Sequence, residues 1–138
     1  MEIRSVQGTC LCGEVRFELR MPTMLCVHCH CSMCRRAHGA GVVTWIRAAQ
    51  EQLHFLSGEQ ALAHYRSSDR ATRSFCSTCG SSLFFASTEA PETIDVVLAN
   101  LTGDLDREPQ LHIYFDDRVD WIHVADDLPR IGDPADHQ

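Results

Sequence analysis

The sequence predicts an all-β protein, and three observations support this fold class. Many short segments alternate apolar with polar residues or are rich in β-branched and aromatic side chains. Clusters of Gly, Pro, Asn, Asp and Ser separate these segments, and no long segment has the periodicity of an amphipathic helix. The 138 residues suit one domain. We predict a single domain over residues 1–130 and a loosely ordered C-terminal tail over residues 131–138.

The predicted strands follow one another along the whole chain. Residues 14–20 alternate strictly, with Val15, Phe17 and Leu19 on one face, as in a half-buried strand. Residues 41–46 are β-branched and aromatic and predict a more buried strand. Further short strands are predicted over residues 53–56, 61–66, 72–76, 82–86, 94–99, 112–115 and 120–124. Short helical turns are predicted over residues 33–37 and 100–106.

Charge and hydropathy exclude two classes of partner. The formal net charge is −7 and the longest basic run is Arg35-Arg36, so we expect no nucleic-acid partner. A local basic pocket for a small anion remains compatible with this total. No segment approaches the roughly 18 apolar residues of a membrane span, and the first eight residues lack the apolar core of a signal peptide. We therefore expect a cytoplasmic protein, whose thiols are kept reduced and available for metal binding or catalysis.

Four of the eight cysteines predict a closed metal site. Cys76-x-x-Cys79-Gly80 can direct two sulfurs at one metal ion from a tight turn, which leaves two ligands to be found. Cys10 and Cys12 are the natural complement, because flanking glycines allow the bend that brings their sulfurs together. The spacing alone leaves other partners open. It also leaves a disulfide framework or a redox pair at Cys76 and Cys79 as alternatives.

Three further cysteines predict an open metal site. Cys29, Cys31 and Cys34 offer three thiolates within six residues, and three protein ligands with a vacancy are typical of a catalytic zinc. Three thiolates on Zn²⁺ leave a net charge of −1, which suits sulfur chemistry better than water activation. The remaining position is expected to take water or a substrate thiolate. The alternative is closure by Cys26, His28 or His30, which would make both zincs structural.

The residues around these cysteines have separate expectations. Arg35 is the candidate to offset the charge of the cluster or to hold a substrate carboxylate, and Arg36 is a weaker one. Cys26 is predicted to be a small buried residue without a metal. His28 and His30 are predicted to be neighbours of the site rather than ligands. The role of His112 is left open, and Trp121 is predicted to belong to the core.

The motifs resemble those of the glutathione-dependent formaldehyde-activating enzymes, a family that includes centromere protein V. The resemblance rests on these segments: Gly8-x-Cys10-x-Cys12-Gly13-x-Val15-x-Phe17; Cys29-His30-Cys31-x-x-Cys34-Arg35-Arg36; Phe75-Cys76-x-x-Cys79-Gly80-Ser81-x-Leu83; and the C-terminal His112-Ile113-Tyr114-Phe115, Trp121 and Asp127-Leu128-Pro129. It implies a β-tent type fold of short antiparallel strands. It also implies two zinc ions, a structural one on Cys10, Cys12, Cys76 and Cys79 and a catalytic one on Cys29, Cys31 and Cys34.

The resemblance further implies a carbon–sulfur lyase. Its reaction joins formaldehyde to glutathione as S-hydroxymethylglutathione, or runs in reverse, so the expected partners are a small thiol and a small aldehyde. Two alternatives from other classes are a non-enzymatic zinc-binding interaction module and a thiol redox sensor. The interaction module predicts that a protein side chain fills the fourth position of the second zinc.

Overall fold

The structure, a computed structural model, describes residues 4–132. Its regular structure is mostly β-strand with one α-helix, which confirms the predicted all-β class. The strands are β1 (Ser5–Thr9), β2 (Arg16–Arg20), β3 (Leu25–Cys29), β4 (Val43–Ala49), β5 (Leu53–Ser57), β6 (Leu62–Arg66), β7 (Ala71–Cys76), β8 (Ser82–Ser87), β9 (Thr93–Val97) and β10 (Leu111–Ile113). The helix α1 spans Ser32–His38, and short 3₁₀ turns occupy Gln50–Gln52, Glu59–Ala61, Leu98–Asn100 and Phe115–Asp117.

The strands form two sheets. A three-stranded sheet has the order β1-β2-β5, and a seven-stranded sheet has the order β10-β3-β4-β9-β8-β7-β6. Neighbouring strands pair antiparallel throughout, except that β10 runs parallel to β3 and places His112 beside His28. This pairing brings a late segment of the chain against the strand that carries the first cysteine of the three-cysteine group.

The small sheet packs on one face of the large sheet. Because side chains alternate along a strand, Ile46 and Phe84 face the small sheet, whereas Trp45 and Phe85 face the opposite side. Phe17 is fully buried between the sheets, and its ring meets that of Phe84 edge-on with the centroids 5.0 Å apart. A second apolar cluster covers the other face of the large sheet and contains Cys29, Cys31 and Cys34.

The hairpin of β1 and β2 depends on a glycine in β1. A Cβ atom at Gly8 would lie 2.2 Å from the ring of its cross-strand partner Phe17. The ring can therefore lie over the backbone of β1 only because residue 8 has no side chain. The strand itself carries few apolar residues, which explains why the hydrophobic pattern did not predict it.

Several predicted elements match the structure and others do not. The helical turn predicted over residues 33–37 is the helix α1. The turn predicted over 100–106 is wrong, because a 3₁₀ turn ends at Asn100 and irregular backbone follows. The strand predicted over 120–124 is also wrong, because these residues form turns and irregular structure despite their alternating pattern. The strands β1 and β3 were not predicted.

The segment after β10 packs on the large sheet as irregular chain. Trp121 is 70% exposed, so the prediction that it belongs to the core is wrong. One edge of its indole instead approaches Gly41, where a Cβ atom would lie 2.7 Å from the ring. The Ile131 N–H donates to the His112 carbonyl at 2.9 Å, and residues 133–138 of the predicted tail lie outside the described residues. Within residues 4–132, no helix has the length and apolar character needed to cross a membrane.

Candidate metal centres

Four cysteine sulfurs meet where the two sheets join. The Sγ atoms of Cys10, Cys12, Cys76 and Cys79 all lie within 4.8 Å of one another. The Cys10 and Cys12 sulfurs are 3.6 Å apart, and those of Cys12 and Cys76 are 3.9 Å apart. A tetrahedral zinc with Zn–S bonds of about 2.3 Å requires sulfur separations of roughly 3.8 Å. The four side chains therefore fit a closed zinc site.

Two glycine turns shape this four-cysteine cluster. Gly13 follows the turn between β1 and β2 at φ +83°, and Gly80 follows the turn between β7 and β8 at φ +81°. Both are left-handed conformations that favour glycine. In each turn the glycine N–H donates to the carbonyl of the first cysteine, at 3.2 Å for Cys10 and 2.8 Å for Cys76. The cluster thus ties the small sheet to the large one.

Polar groups of the chain already stabilise sulfur charge in this cluster. The Val15 N–H donates to the Cys10 sulfur at 3.3 Å. A hydrogen bond with the Ser81 hydroxyl is the main cause that lowers the pKa of Cys79 to about 5. Such donors favour the thiolate, which is the form that binds metal.

Cys29, Cys31 and Cys34 form a second cluster at the junction of β3 and α1. Their sulfurs also lie within 4.8 Å of one another, and those of Cys29 and Cys34 are 3.6 Å apart. Cys31 is the N-cap of α1, and its sulfur accepts the Cys34 N–H at 3.2 Å. Cys31 is 4% exposed and the other two are fully buried. The end of β3, the N-cap of α1 and the first turn of α1 thus each place one sulfur near a common point.

The three thiols differ in how readily they lose a proton, because each affects the pKa of the others. Hydrogen bonds from Cys29 and Cys34 lower the pKa of Cys31 to about 2, whereas the hydrogen bond with Cys31 raises the pKa of Cys29 far above its ordinary value. Without a cation, the cluster therefore favours one thiolate hydrogen-bonded by two protonated thiols. A divalent cation between the sulfurs removes this conflict, so the donor set fits a metal ion.

Arg73 supplies a positive charge beside this cluster. Its two terminal nitrogens lie 3.6 and 3.7 Å from the Cys34 sulfur, and its guanidinium lies over the Phe85 ring, 5.0 Å from the centroid. Arg73 was not among the site residues predicted from the sequence. The alternation of side chains in β7 could have indicated it, because Arg73 lies two positions after buried Ala71 and its side chain points to the same buried face of the strand. An arginine at a core-facing strand position needs a negative partner.

The two arginines that the sequence singled out have different surroundings. Arg35 donates from Nε to the His30 carbonyl at 3.3 Å and so braces the turn between Cys29 and Cys31. Its assignment as a substrate-binding residue stays a prediction. Arg36 is exposed and lines a cavity beside the cluster.

Three histidines lie next to the three-cysteine cluster without joining it. Within residues 4–132, no histidine or carboxylate is grouped with the three sulfurs. His28 contacts Thr44 Oγ1 through Nδ1 at 2.8 Å, and its ring stacks on His112 with centroids 4.9 Å apart.

Cys26 lies outside both clusters, and burial raises its pKa to about 11, so its thiol stays protonated. That Cys26, His28 and His30 are not metal ligands stays a prediction.

His30 and His112 form a buried hydrogen-bonded pair. His112 Nε2 lies 3.0 Å from the Asp126 carboxylate, which can only accept, so Nε2 carries the proton. Nδ1 of His112 lies 2.8 Å from Nε2 of His30, so one hydrogen bond joins the two rings. His30 is 1% exposed and lies between two of the clustered cysteines. The pair therefore fixes the turn that presents Cys29 and Cys31.

Replacing His112 by alanine is expected to lower the free energy of unfolding by about 2–3 kcal/mol. The substitution leaves the buried Nε2 atom of His30 without its hydrogen-bond partner and opens a cavity beside it. Urea denaturation of the zinc-loaded protein measures the change. His123→Ala is the matched control, because His123 is exposed, and it is expected to shift stability by less than about 0.5 kcal/mol. Equal effects of the two substitutions would refute a role for the His30–His112 pair in holding the turn.

Fold and clusters together define a class of protein: a small β-sheet protein with two thiol clusters of metal-binding geometry, one closed by four sulfurs and one with three. The sequence model of the glutathione-dependent formaldehyde-activating enzymes matches residues 5–117, and the chain belongs to this family. The resemblance stated from the motifs is thereby confirmed.

Individual relatives agree with this assignment. A putative glutathione-dependent formaldehyde-activating enzyme of Halomonas elongata is 26% identical over 126 residues, covering 86% of this chain and 80% of that protein. An uncharacterized lyase of Schizosaccharomyces pombe is 31% identical over 84 residues, covering 59% of this chain and 58% of that protein. A crystal structure of a Rhodobacter sphaeroides protein superposes with a TM-score of 0.60 at 30% identity, covering 72% of this chain and 91% of that one. Family and relatives support an enzyme of lyase type.

Proposed function

We propose that this protein is a zinc-dependent carbon–sulfur lyase that joins a small aldehyde such as formaldehyde to a small thiol such as glutathione, or runs the reverse reaction. The observation that carries the proposal is the three-sulfur cluster. Three thiols converge there, and no fourth ligand group from residues 4–132 completes the set. Three protein ligands are typical of catalytic zinc, whereas the four-sulfur cluster has the closed form of a structural site.

The two clusters would hold two zinc ions with different roles. Cys10, Cys12, Cys76 and Cys79 would hold the structural ion, and Cys29, Cys31 and Cys34 the catalytic one. Zinc at the second cluster would stabilise a substrate thiol as its thiolate near neutral pH, which makes the sulfur nucleophilic. Arg73 contributes positive charge at Cys34 and so lowers the cost of gathering negative sulfurs in a buried site.

The proposed reaction is an addition that balances without another reactant. The substrate sulfur forms a bond to the aldehyde carbon, and the electron pair of the carbonyl π bond moves to its oxygen. The proton released by the thiol is taken up at that oxygen, so the thiol and the aldehyde give a hemithioacetal. No group leaves and nothing is oxidised, and the reverse direction releases the same two molecules.

The structure favours this function over the two alternatives. A non-enzymatic zinc module predicts a protein side chain at the fourth position, but His28 and His30 bond to Thr44 and His112 instead. A thiol redox sensor requires a disulfide to form between two clustered cysteines. The Cys29 and Cys34 sulfurs are thiols 3.6 Å apart, so they are near each other but not covalently bonded. The buried position of all three thiols limits their access to an oxidant, which favours the metal site. A reducing cytoplasm, the location we propose, favours it further.

The zinc-loaded protein is expected to accelerate the loss of free thiol when it is mixed with formaldehyde and glutathione. A panel of thiols, followed by the free-thiol concentration over time, measures the rate against the uncatalysed reaction. Cys26→Ala is the matched control, because it removes a buried cysteine that belongs to neither cluster, and it should retain the activity. Absence of acceleration with every thiol tested would refute the proposed reaction.

A further inference from the structure

We propose that Arg73 protects the sulfur of Cys34 from the aldehyde, so that the reaction is confined to the sulfur of the substrate thiol. This inference rests on the proposed function of the three-cysteine cluster and deepens it. Three protein thiolates and one substrate thiolate would surround a zinc ion on this cluster. All four are sulfur nucleophiles, and an aldehyde can add to any nucleophilic sulfur that it reaches.

Addition of the aldehyde to a cysteine of the cluster would damage the site. The cysteine sulfur would form a bond to the aldehyde carbon, the electron pair of the carbonyl π bond would move to oxygen, and water would supply a proton there. The modified sulfur would no longer be a thiolate, which is the form that binds metal. Discrimination between the cysteine sulfurs and the substrate sulfur therefore depends on the surroundings of each.

The surroundings of Cys34 include two charged donors. Both terminal nitrogens of Arg73 contact its sulfur, at 3.6 and 3.7 Å. Arginine stays protonated in proteins, so these hydrogen bonds are charge-assisted. As a sulfur bonds to carbon it loses its negative charge, and hydrogen bonds to that charge weaken. The Cys34 sulfur is therefore expected to attack an aldehyde more slowly than a sulfur without such donors.

The fold holds the Arg73 guanidinium in this position. Arg73 is 8% exposed and its cross-strand partner in β8 is Phe85, whose ring centroid lies 5.0 Å from the guanidinium carbon. Arg73 also lines an open cavity of about 410 Å³ between α1 and the strands β6, β7 and β8, whereas Cys34 does not. The same side chain thus contacts both the Cys34 sulfur and an open space from which a small aldehyde could approach.

Other basic residues near the cluster have different surroundings. Burial, with the charge of Arg73 as a second cause, lowers the pKa of His38 to about 4, so its imidazole is neutral at neutral pH. Arg35 donates to the His30 carbonyl, and Arg36 is exposed. Arg73 thus brings a buried positive charge into direct contact with a cluster sulfur. It acts through Cys34 and is a positioning residue rather than a catalytic one.

Cys31 provides a reference within the same molecule. Its sulfur accepts the backbone N–H of Cys34 at 3.2 Å, and a substitution at position 73 leaves this donor in place. Loss of the Arg73 donors should therefore change the reactivity of Cys34 relative to Cys31. A general opening of the cluster would instead expose both sulfurs.

Alkylation of the zinc-loaded protein with iodoacetamide tests the inference. The sulfur forms a stable bond to the carbon of this small electrophile, and iodide leaves. Zinc content is measured first, and tandem mass spectrometry then gives the alkylation rates of Cys34 and Cys31 in one sample. Arg73→Met keeps a long side chain but removes both donors, and it should raise the Cys34-to-Cys31 rate ratio about tenfold. Arg36→Met, the same change at an exposed residue, should leave the ratio unchanged.

Arg73→Lys is the second variant, for the case that Arg73→Met fails to fold or to keep two zinc ions. Lysine retains the charge but lacks the planar fork that presents two donors to one sulfur, so a rise of about threefold in the ratio is expected. Loss of zinc from both variants would overturn the inference, because Arg73 would then be needed to bind the metal rather than to protect a bound sulfur.

The remaining outcomes separate this inference from the proposed function. An unchanged ratio in Arg73→Met, or an equal rise in Arg36→Met, would overturn the inference. Equal acceleration at Cys31 and Cys34 would also overturn it, because it would indicate an opened cluster. A ratio that depends on Arg73 supports the inference even if no thiol reacts with an aldehyde, because that result would refute only the proposed reaction.

Discussion

Replacing Cys76 by serine is expected to remove one of two zinc ions and to unfold the domain under conditions in which the native chain is stable. Cys76 is fully buried at the end of β7, and its sulfur lies 3.9 Å from that of Cys12, 64 residues earlier in the chain. Binding of a structural zinc contributes about 10–16 kcal/mol in small zinc domains, which is comparable to the total stability of about 5–15 kcal/mol typical of a domain. Three remaining sulfurs would not hold the sheets together as four do.

Metal content by elemental analysis and unfolding by circular dichroism measure this expectation. Cys26→Ala serves as the control, because Cys26 is equally buried but belongs to neither cluster. It should retain two zinc ions and lose no more than about 1–2 kcal/mol of stability. A Cys76→Ser protein that keeps both metals and the native unfolding midpoint would show that the four-cysteine cluster does not bind a structural ion.

Most of the candidate metal centres could be predicted because their ligands are local in sequence. Cys76 and Cys79 form one turn, and Cys29, Cys31 and Cys34 lie within six residues, so spacing alone restricts where their sulfurs can point. The pairing of Cys10 and Cys12 with Cys76 and Cys79 is different, because it joins distant segments. Spacing made it plausible and the family resemblance selected it. The structure brings these four sulfurs together.

The rest of the site depends on contacts between distant segments. Arg73 reaches Cys34 across 39 positions of sequence, and His112 reaches His30 across 82. No pattern of neighbouring residues in the sequence indicates which of these distant residues will pair. The strand β3 was missed for a related reason: its cysteines and histidine were assigned to chemistry, although they also occupy strand positions with Cys26 and Val27 buried. One segment here serves as both strand and ligand carrier.

The errors near the C-terminus have a physical cause as well. Residues 120–124 alternate like a strand, but a strand needs a partner edge. The edge of the large sheet beyond β3 is occupied by the short parallel strand β10, which forms a further bridge from His112 to Arg130. Because Arg130 pairs with the outer side of β10, residues 120–124 find no partner strand there and form irregular chain. Trp121 then contacts Gly41 from outside rather than entering the core.

The two clusters occupy opposite faces of the large sheet, which separates the proposed structural site from the proposed reactive site. The four-cysteine cluster joins the small sheet at its turns, whereas the three-cysteine cluster lies in the other apolar layer with Trp45, Phe85 and Tyr114. Loss of metal from one face therefore need not remove the contacts on the other. This separation predicts that the second cluster can be disabled in a folded protein.

Replacing Cys31 by serine is expected to reduce the zinc content from two ions to about one while the fold stays intact, and to reduce thiol–aldehyde activity to the uncatalysed rate. Serine is itself a preferred N-cap residue, so the bond that the Cys34 N–H now donates to the Cys31 sulfur has a replacement acceptor. The substitution therefore removes a metal ligand without removing the helix cap. Elemental analysis, circular dichroism and the free-thiol assay, with Cys26→Ala again as the control, measure the three parts of this expectation.

Two results for Cys31→Ser would contradict the separation of the clusters. Loss of both zinc ions would mean that the two clusters are not independent, and retention of both would mean that Cys31 does not hold one. A variant with one zinc ion, a native spectrum and full activity would instead move the chemistry away from the three-cysteine cluster. One zinc ion with a native fold and no activity is the only combination that agrees with a closed structural site on one face of the sheet and an open reactive site on the other.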